Sequence, residues 1–266
     1  MTIQQEQVRE LGRELFDAEA DRRQIQGISA RFPELTLGGA YRVQSEFLAA
    51  KMAAGRRRRG WKIGLTSRAM QRQLNIATPD SGMLLDDMFF DNGATIPAGR
   101  FIAPRIEAEI AFVMKDGLSG DVAPWDVVRA TEAICPSLEI LDTRIVRFDP
   151  ATGWTRTVVD TIADNAANAG IILGVPRKIE SIDLRWIGAI VARNGTVEET
   201  GLGAGVLGDP LLGICWLARR LAETGECIAA GDVLLSGSFV RAIDALSGST
   251  FHADFGPFGA VSCYFE

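Results

Sequence analysis

The sequence predicts an α+β fold: a helical N-terminal region over residues 1–60, then a mixed, strand-rich core over residues 61–266. Three observations predict it. Apolar residues recur at three and four positions before Ala54. Strand-like texture takes over after Gly60. The later strand-like and helix-like runs do not alternate regularly, which argues against a doubly wound sheet. The chain has 266 residues and is 47% hydrophobic, enough to bury a sizeable core, as one large domain or one domain with a smaller appendage.

Taken in order, Gln4 to Arg22 carries Val8, Leu11, Leu15 and Ala18 on one stripe, the mark of an amphipathic helix. Leu37 to Ala54 repeats the pattern with Ala40, Val43, Phe47 and Ala50. The basic run Arg56 to Arg59 reads as a solvated turn. Trp61 to Leu65, Glu107 to Met114 and Leu138 to Leu141 read as strands. Pro124 to Glu132 suits a short helix with proline in its first turn. Asp160 to Asn168 is too polar for a buried strand and reads as a helical turn or loop. Asn194-Gly195 favours positive φ and joins Leu184 to Arg193 with Thr196 to Thr200 as a hairpin. Asp209 to Thr224 is a helix, with Asp209 as N-cap, Pro210 first and Gly225 ending it. Asp232 to Phe239 and Ala260 to Phe265 close the chain as strands.

A net charge of −6 excludes a protein built to coat nucleic acid or an anionic membrane. No run approaches the roughly 20 apolar residues of a membrane span. Met1 to Glu10 is polar and lacks a signal-peptide core. Cys135, Cys215, Cys227 and Cys263 are scattered, with no C-x-x-C pair, so free thiols and a cytoplasmic, reducing location are expected.

The chemistry concentrates in Pro104-Arg105-Ile106-Glu107-Ala108-Glu109. Residues two apart on a strand share a face, so Glu107 and Glu109 project together. Two bare carboxylates so placed repel, and a divalent cation removes the conflict. Glu139, isolated in the apolar run Ser137 to Leu141, needs a partner if buried and makes a third ligand. Oxygen ligands favour magnesium, manganese or calcium over zinc. Spacing alone also fits an exposed strand face.

Further motifs narrow the choice. Gly60-Trp61-Lys62-Ile63-Gly64-Leu65-Thr66-Ser67, Thr78 to Gly82, Leu84 to Met88, Pro104 to Glu109, Leu138 to Arg144, Asp160 to Gly170 and Gly231 to Phe239 together resemble the hydratase/decarboxylase family of aromatic meta-cleavage pathways, within the fumarylacetoacetase-like superfamily. The resemblance spans nearly everything after about residue 35. It implies a core of rolled, twisted sheets, a homo-oligomer, and Mg2+ (Mn2+ being possible) on Glu107, Glu109 and Glu139. It also implies an active-site Lys62 and a pocket Asp80.

The implied activity is addition of water to a small-molecule 2-oxo-alkenoate in aromatic catabolism, with 2-oxohept-3-ene- or 2-oxohept-4-ene-1,7-dioate, giving 4-hydroxy-2-oxoheptanedioate, favoured. Decarboxylation of 2-oxo-3-hexenedioate and hydration of 2-oxopent-4-enoate are the alternatives. Lys62 is expected to act as a cation and Asp80 to move protons. Ser236 and Ser238 are expected to line the pocket. The far carboxylate needs a cation, and Arg156 is preferred over Arg68 and Arg241. A carbon–carbon hydrolase resembling fumarylacetoacetase would carry its water-activating histidine in the N-terminal region, whereas the single histidine here is His252. A non-catalytic subunit is argued against by the presence of Lys62, Asp80 and all three glutamates.

Overall fold

The computed structural model describes residues 3–266 apart from positions 74, 75, 77 and 181. It opens with α1 (Gln5–Ala20), α2 (Ile28–Arg31) and α3 (Leu37–Ala53). There follow β1 (Arg58–Gly64), α4 (Arg68–Gln73), β2 (Asp80–Leu85), β3 (Phe89–Phe90), β4 (Ala94–Ile96) and β5 (Arg105–Met114). The middle holds α5 (Pro124–Ala130), β6 (Thr131–Leu141), β7 (Phe148–Asp149), β8 (Trp154–Thr155), α6 (Val158–Ala163) and β9 (Asn168–Leu173). The last part is β10 (Gly188–Arg193), β11 (Thr196–Leu202), α7 (Pro210–Ala222), β12 (Val233–Leu235), β13 (Ile243–Asp244), β14 (Thr250–Asp254) and β15 (Ala260–Phe265).

The α+β expectation holds, and the apolar stripe of α1 does what its spacing demands. Val8, Leu11, Leu15 and Ala18 are buried against Ala40, Val43 and Phe47 of α3, and the same cluster takes in Ile145, Ile162 and Ala163. Thr36 caps α3 by accepting the Gly39 N–H at 3.1 Å. Asp209 caps α7 by accepting from Leu211 at 2.9 Å. Asn194 and Gly195 have φ of 52° and 80°, the double positive φ that the hairpin turn requires.

One sheet carries the site. Its strand order is β2-β1-β12-β5-β6-β9-β3, with β13 added beside β5. A second sheet, β11-β10-β14-β15-β4, packs nearby and shares the main core. On β5, Ile106, Ala108, Ile110 and Phe112 enter that core. The alternate residues Glu107, Glu109, Ala111 and Val113 therefore face the other side. There Ala111 joins Leu84, Cys135, Ile171, Val233 and Leu235 in a separate apolar cluster. The same face is thus apolar at one end and carboxylate-bearing at the other.

The sheet curls until β2, at one end, meets the turn that leads into β9. Side chains make this seam. Asn165 Oδ1 accepts the Met83 N–H at 2.8 Å, and Asn165 Nδ2 donates to the Met83 carbonyl at 3.0 Å. Asn168 Nδ2 donates to that carbonyl at 3.1 Å.

Several expectations need correction. Arg58 and Arg59 already belong to β1, where cross-strand pairing with β2 extends the strand past the basic turn. β6 begins at Thr131 rather than Leu138, because it pairs with β5 along nearly its whole length. The strand expected over Asp232 to Phe239 covers only Val233–Leu235, since the chain turns at Gly237, whose φ is 110°. Leu184–Trp186 is a short 3-10 turn rather than strand. Asp160 to Asn168 divides into α6, a tight turn and the first residue of β9.

Candidate active site

Register brings the three glutamates together. Glu107 and Glu139 are direct partners across β5 and β6, and Glu109 lies two residues along the same face. One carboxylate oxygen from each lies within 4.8 Å of the others. Glu109 and Glu139 are buried and Glu107 is half-buried. Burying three like charges is costly unless something opposes them.

Protein groups oppose them only in part. Lys62 Nζ, from β1, stands 3.3 Å from Glu139 Oε1 and donates to the Ala166 carbonyl at 3.2 Å. Glu109 Oε2 accepts the Gly237 N–H at 2.8 Å. Gly237 is required here: its φ is positive, and a Cβ would run into the Thr66 side chain. Glu109 Oε1 has no hydrogen-bond partner among the described residues, and neither has either Glu139 oxygen beyond the Lys62 ion pair.

The electrostatics follow. Burial, then Glu139, push the Glu107 carboxyl up to about 8, with Lys62 opposing. Burial, Glu139 and Glu107 hold Glu109 well above the usual carboxylate range. Burial would lower the Lys62 pKa, but Glu139, Asp80, Glu107 and Glu109 outweigh it and hold the side chain as an ammonium. The donor set is therefore all-oxygen, anionic, convergent and under-compensated. It fits a hard divalent cation such as Mg2+.

Asp80 enters from the first residue of β2, opposite Gly64. A Cβ on Gly64 would collide with Asp80 Oδ1 and lie 3.2 Å from Lys62 Nζ, so glycine keeps these groups close. Asp80 is buried, and its Oδ1 has no hydrogen-bond partner among the described residues. Burial raises its pKa, while Lys62, Arg156 and the Gly64 N–H offset part of the rise.

Arg156 follows β8. It donates to Thr143 Oγ1, and its Nη2 lies 3.6 Å from Asp164 Oδ2. Its buried Nε and Nη2 have no hydrogen-bond partner among the described residues. Ser236 is wholly buried with its hydroxyl unpartnered in the same sense. Ser238 differs: its Oγ donates to the Val240 carbonyl at 2.8 Å and accepts the Val240 N–H at 3.2 Å. That hydroxyl is spent on a local turn.

The two other candidate arginines are both exposed. Arg241 is exposed and pairs with Glu199 at 2.7 Å. Arg68 is exposed on α4. Sequence reasoning passed over Arg105, which lies on the Glu107 face and pairs with Asp244 at 2.6 Å. A cavity of about 510 Å³ opens beside it, lined also by Arg100 and Arg147. His252 is exposed on β14, in the second sheet.

The geometry can now be set against known proteins. No protein-family model matches the chain. The sequence is 50% identical over 257 residues to a 2-oxo-hept-4-ene-1,7-dioate hydratase of Escherichia coli, covering 96% of each chain. The chain belongs to the hydratase/decarboxylase family. As a member it is an enzyme, of the hydro-lyase class that its hydratase relatives represent. Its fold is similar to that of 4-oxalocrotonate decarboxylase from Pseudomonas putida G7, solved with magnesium and adipate. That match has a TM-score of 0.93 and 34% identity, over 99% of both chains. A fumarylacetoacetate hydrolase family protein from Yersinia pestis shares the fold more distantly. Its TM-score is 0.58 at 14% identity, over 77% of this chain and 92% of that one.

Proposed function

We propose that this enzyme adds water to a 2-oxo-alkenoate dicarboxylate, with 2-oxohept-4-ene-1,7-dioate or its 3-ene isomer as substrate. The observation that carries the reading is the convergent triad Glu107, Glu109 and Glu139, in which buried Glu109 and Glu139 oxygens have no hydrogen-bond partner among the described residues, set beside Lys62 and Asp80. The 50% identity to a hydratase supports water addition over decarboxylation.

Glu107, Glu109 and Glu139 would hold Mg2+, or Mn2+, which accepts the same oxygen donors. When bound, the ion supplies a Lewis acid for the 2-oxo acid end of the substrate. The chain's own groups do the rest. Lys62 stays cationic, balances the carboxylates and attracts the substrate's C1 carboxylate. Asp80, with its pKa raised by burial, holds and releases the proton that moves between water and the carbon chain. Arg156 offers its unpartnered Nε and Nη2 to the far carboxylate, and Ser236 offers its hydroxyl. Ser238 contributes to the pocket wall through its turn.

A homo-oligomer in the cytoplasm completes the reading. Support for assembly comes from Trp186, Ile190 and Val197, apolar side chains exposed by 73%, 48% and 56%.

The test is turnover of the seven-carbon substrate with Mg2+, following water addition and CO2 release separately. Water addition without CO2 is expected, and CO2 release would replace the hydratase with a decarboxylase. Asp80→Asn should cut kcat about a hundredfold or more while Mg2+ affinity stays within about twofold. Full turnover in that variant would remove Asp80 from proton transfer.

A further inference from the structure

Lys62 is the cation on which the site turns, yet it sits at the end of a flexible side chain. What fixes its ammonium is a backbone carbonyl, that of Ala166, at 3.2 Å. The segment that presents this carbonyl has an unusual shape. Asn165, Ala166 and Ala167 have φ of 52°, 52° and 58°, three successive non-glycine residues in the left-handed region. Each such residue is strained, and the strain persists only where the surroundings over-determine it.

The surroundings here are specific. The Asn165 amide grips both backbone groups of Met83 on β2, at 2.8 and 3.0 Å. Asp164, just before the turn, is locked by Arg144, whose Nη2 donates to the Asp164 carbonyl at 2.7 Å. On the β2 side, Gly82 is the register partner of Lys62. A Cβ on Gly82 would come within 2.5 Å of the Asn165 carbonyl oxygen. The turn therefore rests directly on the strand beside Lys62, and only glycine leaves room for it.

We propose that Asn165 is a positioning residue for Lys62. Its side chain clamps the left-handed turn onto β2, and the turn aims the Ala166 carbonyl so that the ammonium is held against Glu139. A neutral carbonyl suits the task, because it takes one ammonium hydrogen without adding a further anion to Glu107, Glu109, Glu139 and Asp80. The ammonium keeps its ion pair with Glu139 at 3.3 Å. This inference rests on the role given to Lys62 above and adds the device that orients it.

The test is a double-mutant cycle read as binding of oxalate, a stand-in for the 2-oxo acid end, to the Mg2+-loaded enzyme by calorimetry. Lys62→Met should weaken oxalate binding at least about tenfold. Asn165→Ala should weaken it about three- to tenfold in the native background. In the Lys62→Met background the same substitution should cost less than about twofold, because the group it positions is gone. Equal losses in both backgrounds, or no loss in Asn165→Ala, would overturn the proposal and leave the role of Lys62 standing. Unchanged oxalate affinity in Lys62→Met would overturn both. If Asn165→Ala does not fold, Gly82→Ala displaces the turn from its other side and runs the same cycle, with the same outcomes deciding.

Discussion

Two clusters of buried charge lie a short distance apart in this molecule, and they are built on opposite principles. In one, Arg144 is wholly enclosed and every polar group finds a partner. Its Nε meets Asp164 Oδ1 at 2.5 Å, and its Nη1 meets the Asn168 carbonyl at 3.2 Å and Glu19 at 3.4 Å. Lys51 from α3 closes the set on Glu19 at 2.5 Å. Arg144 and Lys51, with Arg156 at the edge of the set, face the two carboxylates of Asp164 and Glu19. In the other cluster, Glu107, Glu109, Glu139 and Asp80 surround one lysine, and several oxygens are unpartnered among the described residues. Burial alone does not separate a structural ion network from a functional one. Charge balance and orphaned atoms do.

The comparison makes opposite predictions for the two clusters. Breaking the balanced one should destabilise the fold. Arg144→Met leaves Asp164 and Glu19 without their main partner and should cost about 3–5 kcal/mol in urea unfolding. A loss under about 1 kcal/mol would erase the distinction. Breaking the unbalanced cluster should do the reverse: Glu139→Gln removes one of several repelling charges, so the metal-free protein should be no less stable than the native chain.

A pH titration sharpens the contrast. In the metal-free protein Glu107 titrates near 8, above its ordinary value of 4.5. The folded state then holds a proton that the unfolded state releases. Stability is fully present below about 4.5, is lost as pH rises toward 8, and levels off above it. The slope is at most about 1.4 kcal/mol per pH unit for one group. Saturating Mg2+ should abolish that decline. A metal-free stability that climbs between pH 5 and 8 would contradict the assignment.

Arg156 lies where the two clusters meet: its Nη2 stands 3.6 Å from Asp164 Oδ2, and its Nε has no hydrogen-bond partner among the described residues. Arg156→Ala should therefore reduce kcat/KM for the seven-carbon dioate about tenfold more than for a five-carbon dienoate. Equal losses on both would place Arg156 wholly in the structural network.

Much of this was legible in the sequence, for reasons that particular residues make clear. The α1 stripe, the Asp209-Pro210 helix start and the Asn194-Gly195 hairpin each express a local rule. The glutamate pair Glu107 and Glu109 followed from strand periodicity, and Glu139 from its isolation among apolar neighbours. What stayed hidden depends on register. Nothing local indicates that Glu139 sits opposite Glu107, that Gly237 would supply an N–H to Glu109, or that Ala166 would adopt a positive φ. Ser238 looked like Ser236 in sequence, and only the turn to Val240 separates them. The glycines at 64, 82 and 237 were the available signal, since each marks a place where backbone or side chain comes too close for a Cβ.

The central claim is that Glu107, Glu109 and Glu139 form one divalent-metal site. Titration of the metal-stripped protein with Mn2+, followed by electron paramagnetic resonance, tests it most directly. The account predicts one tightly bound ion per chain, displaced by Mg2+, and a loss of at least about a hundredfold in affinity in Glu139→Gln. Native and Glu139→Gln proteins that bind Mn2+ equally well would contradict it.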